Sequence, residues 1–134
     1  MSDMFNREEA DRMAAEWRYI ITDMICQAGS GHIGGALSLV EVMHTLYFRS
    51  MHVDPDNPAD PTRDRLVLSK GHAAPVLYVA LAYKGFFPAN LLGTMNADGT
   101  TLPSHADART VPGIDATTGS LGQGLSVACG MATA

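Results

Sequence analysis

Apolar residues recur at helical spacing in the first part of the chain. The repeat comprises nine positions: Ala10, Met13, Ala14, Trp17, Ile20, Ile21, Met24, Ile25 and Ala28. A repeat of three to four residues predicts an amphipathic helix with one buried face. Asn6 is a suitable N-cap, Glu9 lies three residues after it, and Gly29 follows the last apolar position. The helix is therefore expected to begin after Asn6 and to end at Gly29.

A second helix is predicted after a glycine-rich loop at residues 29–35. Ser38 and Glu41 have the spacing of a capping box, and the helix is expected to end near Ser50. The side chains expected on its inward face are Val42, Met43, Leu46 and Tyr47.

A short apolar run at residues 65–69 is the best strand candidate. It follows a loop at 54–64 that is rich in proline and aspartate, and further helices are predicted at 73–84, at 88–95 and after the turn at 118–124. Continuous apolar strands of this length are typical of parallel sheets that helices cover on both faces. The alternation predicts an α/β fold with a parallel sheet between helices, incomplete in this chain because it has too few strands.

The composition and charge are those of one folded domain, residues 1–134. Hydrophobic residues make up 46% of the chain and charged residues 17%, which excludes intrinsic disorder. The formal net charge of -5 argues against nucleic acid or an anionic membrane as a partner. No apolar run is long enough to span a bilayer, and the charged segment 1–12 lacks the apolar core of a secretion signal. Cys26 and Cys129 are expected to be small buried packing residues, and the sequence predicts a cytoplasmic protein.

Glycine-rich turns occur at three places, each beside a histidine or a helix start: 31–32, 71–72 and 119–124. Glycine lets backbone amides approach a ligand closely, and helix N-termini favour anions. Three such turns in one small domain favour a phosphate-bearing ligand. The patterns of Rossmann dinucleotide sites, Walker phosphate loops, zinc sites and nucleophile elbows are absent from the sequence.

Three of the five histidines are candidates for one shared site. His32, His72 and His105 lie in predicted loops beside small residues, where side chains that contact ligands are common. His44 lies within the second predicted helix and His52 just after it, so these two are predicted to be structural or solvated.

Three segments together resemble the transketolase family. Residues 30–38, SGHIGGALS, resemble the opening histidine loop of that family, and residues 68–73, LSKGHA, resemble its second histidine motif. Residues 118–124, TGSLGQG, are similar to its thiamine-contact turn. The order and spacing match from about residue 10 to residue 134, and the first loop looks most like that of separately encoded N-terminal subunits. The resemblance therefore identifies the chain as the N-terminal part of a transketolase-type thiamine diphosphate-binding domain.

The resemblance also implies roles for individual residues. By this likeness, His72 lies beside thiamine diphosphate, and His32 and His105 face the hydroxyls of the sugar substrate. The turn of Gly119, Ser120 and Leu121 holds the aminopyrimidine ring of the cofactor through backbone contacts. The implied reaction transfers a two-carbon ketol unit from a ketose phosphate to an aldose phosphate, as in the pentose phosphate pathway.

Two departures from the family pattern limit what this chain can do alone. The third histidine is set in Ser104-His105-Ala106-Asp107, where the family usually has Gly-His-Pro-Glu. The family's Gly-Asp-Gly motif is absent, so the ligands of the implied Mg²⁺ do not lie within this chain. The catalytic glutamate also belongs to another domain in the family. The resemblance thus implies a C-terminal transketolase subunit or domain as partner, in a homo- or hetero-oligomer.

Two alternatives to a transketolase stay open at this stage. One is an enzyme like deoxyxylulose-phosphate synthase, which shares a histidine-glycine opening. The other is a truncated, non-catalytic domain that only packs against a partner, which the missing metal motif favours.

Overall fold

Helix α1, Arg7–Ala28, forms where the apolar repeat predicts it. In the computed structural model, which describes residues 6–134, Asn6 accepts a hydrogen bond from the amide of Glu9 at 3.2 Å. Gly29 ends the helix with φ 68°, a left-handed conformation that glycine adopts without a steric penalty. All nine residues of the apolar repeat are buried or half-buried. The first five residues of the charged N-terminal segment lie outside the described residues.

The segment after α1 becomes helical earlier than predicted. Helix α2, Ile33–Leu37, occupies part of the predicted loop, and α3, Val40–Thr45, continues into a π-helical turn, Leu46–Ser50. The predicted capping box at Ser38 is wrong: its hydroxyl donates to the Gly35 carbonyl at 3.0 Å, and Ser38 is the C-cap of α2, whereas Leu39 occupies the N-cap position of α3.

The inward face of α3 differs from the prediction at one position. Val42 is 49% exposed, so its predicted burial is wrong. The reason is helical phase: the buried positions are Val40, Met43 and Tyr47, and Val42 points away from that stripe. The predicted structural role of His44 is confirmed in that its side chain is buried.

Helix α4, Ala74–Lys84, is the centre of the core. It follows a 3-10 turn, Gly71–Ala73, and its residues from Ala74 to Ala82 are all buried. Helices α1, α2 and α3 pack against it, as does a 3-10 segment, Ala89–Thr94. A helix that is apolar all round needs such cover on every side. The last helix, α5, Gln123–Thr133, begins at the turn where it is predicted.

The predicted strand at 65–69 does not form within the described residues 6–134. The segment has no regular secondary structure, and its backbone bonds to side chains and to one loop amide. The amide of Leu66 donates to Asp115 at 2.9 Å, and the carbonyl of Leu68 accepts from the Thr118 hydroxyl at 2.7 Å. A β-ladder requires a neighbouring strand, and the part of the chain described here supplies none. The parallel sheet is therefore not confirmed.

The predicted burial of the two cysteines is wrong. Cys26 and Cys129 are both exposed. Cys26 lies on the outer face of α1, because the apolar stripe passes through its neighbour Ile25 instead. Cys129 lies on α5, most of whose surface is uncovered. None of the helices within residues 6–134 has both the length and the apolar character needed to cross a membrane.

Candidate active site

Three histidines from three separate segments meet at one place. His32 precedes α2, His72 lies in the 3-10 turn before α4, and His105 lies in the loop after the 3-10 segment. The ring centroids of His32 and His72 are 4.9 Å apart, and that of His105 is 6.0 Å from His32 and 6.4 Å from His72. The predicted convergence of these side chains, here called the histidine cluster, is confirmed. Their chemical roles stay predictions.

A close backbone approach fixes the segment that carries His72. A Cβ atom on Gly71 would lie 2.2 Å from the carbonyl oxygen of Thr118, so only glycine fits there. A Cβ on Gly124 would likewise lie 2.7 Å from the Cα of Ser69. The second histidine motif and the turn at 118–124 are thus locked together by two glycines.

A buried tyrosine positions His105. The Tyr78 hydroxyl lies 2.7 Å from the carbonyl of Pro103 and 3.1 Å from that of His105, and it donates to both. Burial, assisted by the nearby charge of Asp107, raises the pKa of Tyr78 above its usual value, so the hydroxyl keeps its proton. The amide of Ala106 donates to the Gly71 carbonyl at 3.1 Å. The loop of His105 is thereby tied to the turn of His72.

The site's electrostatics favour a neutral imidazole at His72. Desolvation lowers its pKa, and electrostatic repulsion from the neighbouring His32, His105 and Lys70 lowers it further. A neutral ring has one nitrogen that donates and one that accepts a hydrogen bond. His72 is therefore suited to receive a proton or a hydrogen bond from a ligand at neutral pH.

The predicted cofactor turn lies on the surface, beside the segment of His72. Gly119, Ser120 and Leu121 are exposed, and Leu121 is 71% exposed despite its apolar side chain. The amide of Gly122 donates to the carbonyl of Ser69 at 3.4 Å, which anchors the turn. A Cβ atom on Gly119 would meet nothing within 4 Å, so the backbone there is open to a ligand.

Asp107, the acid after the third histidine, is engaged by its own loop. Its carboxylate accepts from Arg109 Nη2 at 2.7 Å and from the Thr117 hydroxyl at 3.0 Å. Hydrogen bonds from Arg109, first from its side chain and then from its backbone, hold the pKa of Asp107 well below its usual value. Asp107 thus braces the loop of His105 as an ionised carboxylate.

A second acid, Asp115, holds residues 63–66, which precede the second histidine motif, and no sequence motif revealed it. It accepts from Arg63 through both terminal nitrogens, from Arg65 Nη1 at 3.1 Å and from the amide of Leu66 at 2.9 Å. The side chains of Asp115 and Arg63 are only 2% and 8% exposed. Some 50 residues separate Asp115 from these partners, so no local pattern could reveal the contact.

Three more residues that build the site were not predicted from the sequence: Lys70, Tyr78 and Thr118. Lys70 and Thr118 lie inside motifs that are recognisable by their glycines and histidines. Tyr78 looks in the sequence like one more residue of an apolar helix. As for metals, no group of three or more His, Cys, Asp or Glu residues in the described range could hold an ion.

Comparison with known proteins identifies the family of this chain. The family model of the transketolase thiamine diphosphate-binding domain matches residues 9–134. The chain is 60% identical over 117 residues to the 6-deoxy-6-sulfo-D-fructose transketolase subunit SqwG of Clostridium sp., a match that covers 87% of this chain and 42% of that protein. It is 46% identical over 114 residues to one of the subunits of the apulose-4-phosphate transketolase of Phocaeicola vulgatus, covering 85% of this chain and 40% of that one.

The structural likeness agrees with the likeness in sequence. The transketolase from Leishmania mexicana matches with a TM-score of 0.86 at 30% identity, covering 90% of this chain and 18% of that one. A transketolase from Pichia stipitis matches with a TM-score of 0.78 at 32% identity, covering 87% of this chain and 17% of that one. The resemblance indicated by the three motifs is confirmed, and so is the predicted fold family. The chain spans about two fifths of the length of the two curated relatives.

Proposed function

Since this chain belongs to the transketolase thiamine diphosphate-binding domain family, we propose that it forms the front part of the cofactor domain of a transketolase. The reaction is the transfer of a two-carbon ketol unit from a ketose phosphate, or a ketose with another terminal anion, to an aldose phosphate. The observation that carries this proposal is that the ring centroids of His32, His72 and His105 lie 4.9 to 6.4 Å from one another.

The residues beside the histidine cluster fit thiamine diphosphate. The Ser69 hydroxyl is buried, and within the described part of the chain it has no hydrogen-bond partner, so a polar group of a ligand would satisfy it. Ser69 lies three residues before His72, its carbonyl accepts from the amide of Gly122 at 3.4 Å, and the backbone of the turn just before Gly122 is open at Gly119. We assign His72, Gly119, Ser120 and Leu121 to cofactor binding. When bound, the cofactor supplies a thiazolium that stabilises a carbanion after a carbon–carbon bond is cut.

The histidines supply the proton chemistry around the sugar. Oxygens of a ketose gain or lose charge as its carbon–carbon bond breaks, so donors and acceptors must lie beside them. His32 and His105 face the substrate hydroxyls in this assignment, where an imidazole can donate or accept near neutral pH. Because Asp107 and Tyr78 brace the loop of His105, the backbone that carries its ring is held in place even without the usual neighbouring proline.

Further polypeptide must complete this site. We propose that it supplies the Mg²⁺ ligands, the activating glutamate and the strands that would pair with residues 65–69. The uncovered apolar surface of α5 and the turn before it supports this assignment. Its exposed members are Leu121, Leu125, Val127 and Met131. Apolar side chains concentrated on one element mark a surface that another chain segment covers. A C-terminal transketolase subunit in an oligomer fits that role, and the proposed location is cytoplasmic.

The substrate class follows from the names of the relatives and remains a proposal. One relative is named for 6-deoxy-6-sulfo-D-fructose and another for apulose 4-phosphate. Both sugars carry a terminal anion, a sulfonate in one case and a phosphate in the other. We propose that the donor is a ketose with such a terminal anion.

The test is an assay of the complete protein with its partner subunit, thiamine diphosphate and Mg²⁺. The donor arms are xylulose 5-phosphate, fructose 6-phosphate and 6-deoxy-6-sulfofructose, each with ribose 5-phosphate or glyceraldehyde 3-phosphate as acceptor. A control arm contains pyruvate and glyceraldehyde 3-phosphate, the pair used by deoxyxylulose-phosphate synthase. Ketol transfer in any donor arm supports the proposal. Turnover of pyruvate alone contradicts it, and failure to bind thiamine diphosphate with or without Mg²⁺ identifies a non-catalytic domain.

A further inference from the structure

Lys70 links the first two histidine motifs. Its Nζ donates to the carbonyl of Gly35 at 2.9 Å and to the hydroxyl of Ser38 at 2.8 Å. Both acceptors follow His32 in and just after α2, whereas Lys70 itself lies two residues before His72. One side chain thus joins the segments that carry the two closest rings of the histidine cluster.

The contact that Lys70 holds is a close one. A Cβ atom on Gly35 would lie 3.2 Å from Cδ2 and 3.3 Å from Nε2 of His72, so the backbone of α2 lies directly against that ring. The Ser38 hydroxyl, besides accepting from Lys70, donates to the Gly35 carbonyl at 3.0 Å. Lys70 therefore has two acceptors that are themselves joined, which defines where its ammonium group must lie.

The charge of Lys70 remains in the site. Both of its acceptors are uncharged, and no carboxylate within residues 6–134 forms an ion pair with it. An ammonium group without a counter-charge repels a proton on nearby imidazoles. Its charge is accordingly one of those that lower the pKa of His72.

We infer that Lys70 is a positioning residue, which holds α2 against the His72 ring and thereby sets the separation of the His32 and His72 rings. For its catalytic consequence the inference rests on the proposed function. Reacting groups that move by about 1 Å lose up to about 100-fold in rate, so a loosened α2 would lower turnover without removing a group that contacts the substrate.

The chain contains only two lysines, and the second offers a matched control. Lys84 lies at the end of α4 with its Nζ 5.5 Å from the centroid of the Phe48 ring. The experiment compares K70M, K70R, S38A and K84M with the wild type in the complete protein with its partner subunit. Protein that contains isotope-labelled histidine gives the titration midpoint of the His72 imidazole by NMR. Steady-state assays give kcat and KM separately.

The expected results separate charge from position. K70M raises the midpoint of His72 and lowers kcat/KM by about 10- to 100-fold, mainly through kcat. K70R keeps the midpoint near that of the wild type and recovers part of kcat, because the charge and a donor remain. S38A leaves the midpoint unchanged and lowers kcat by less than K70M. K84M changes neither quantity.

Two results would overturn the inference. One is a folded K70M protein whose kcat/KM lies within twofold of the wild type. The other is a His72 midpoint that does not move in that protein. If K70M fails to fold, S38A decides instead, and an unchanged kcat for S38A counts against the inference. If the wild type shows no ketol transfer, the proposed function fails, whereas the NMR titration still tests the charge and placement of Lys70.

Discussion

Replacing Asp115 with asparagine should destabilise the protein strongly, because it breaks a buried ion pair while preserving shape. Asp115 and Arg63 are almost fully buried, and the carboxylate also accepts from Arg65 and from the amide of Leu66. Removing one member of a buried pair leaves the other charge without its counter-charge, which costs about 3 to 5 kcal/mol, although Arg63 keeps its bonds to the carbonyls of Pro58 and Asp64. Since Arg65 is 40% exposed and partly screened, we expect the lower end, about 3 kcal/mol.

That free energy is large enough to measure directly. With a urea m-value of about 1.5 kcal/mol/M, a loss of about 3 kcal/mol lowers the unfolding midpoint by about 2 M. The matched control is D11N, which removes an exposed ion pair of Asp11 with Arg7 and should cost less than about 0.5 kcal/mol. A D115N midpoint within about 0.3 M of the wild type would refute the reasoning.

The buried ion pair of Asp115 with Arg63 also predicts how the free energy of unfolding changes with pH. Burial alone raises the pKa of Asp115, but hydrogen bonds from Arg63, Leu66 and Arg65 outweigh it, so the net pKa lies below its usual value. A carboxyl whose pKa is lower in the folded state contributes stability above its unfolded pKa of about 4 and loses it as pH falls through the folded pKa. Below about pH 4, the free energy of unfolding should therefore fall more steeply in the wild type than in D115N.

Three further substitutions test how the site and the core are built. G71A should destabilise the protein by about 2 kcal/mol or more and displace the turn at 118–124. Its control is G34A, where a Cβ would meet nothing within 4 Å, so its cost should be far smaller; urea unfolding of both variants measures the difference. Y78F should cost about 1 to 2 kcal/mol and shift the NMR signal of His105, whereas Y19F, at an exposed position, should change neither quantity. His44 is buried against the rings of Trp17 and Phe48, and burial lowers its pKa. The free energy of unfolding should therefore fall as pH drops below the usual histidine pKa of about 6.5. H44N should make the thermal unfolding midpoint less dependent on pH in that range.

The helices could be predicted because their signals are local. The apolar repeat lies within α1, and the caps Asn6 and Gly29 lie directly at its two ends. The repeat is buried and both residues cap the helix, as the pattern predicts. The same reasoning failed for residues 65–69, because a strand depends on a neighbour that local sequence does not contain. It also failed at Val42, because that residue lies about 100° around the helix from Met43 and about 200° from Val40, off the buried stripe of α3.

The site shows a similar division between recognisable and hidden residues. His32, His72 and the turn at 119–121 lie in motifs whose glycines and order along the chain are recognisable. The contacts that hold them in place are not, because Lys70 bonds to a carbonyl 35 residues away and Thr118 to one 50 residues away. The fold decides which residues become such partners. In the sequence alone, any polar residue of suitable length could be the hydrogen-bond partner.

The histidine cluster is held by the core on one side and is open on the other. Its base is helix α4, buried from Ala74 to Ala82, to which the 3-10 turn of His72 and the loop of His105 are hydrogen-bonded. Its open side is the exposed turn at 119–121 and α5, whose apolar side chains remain uncovered. The three histidines thus lie on the part of the fold that the described residues hold together. Under the proposed function, further polypeptide would enclose the open side and add the metal ligands, and the placement of the histidines would not depend on it.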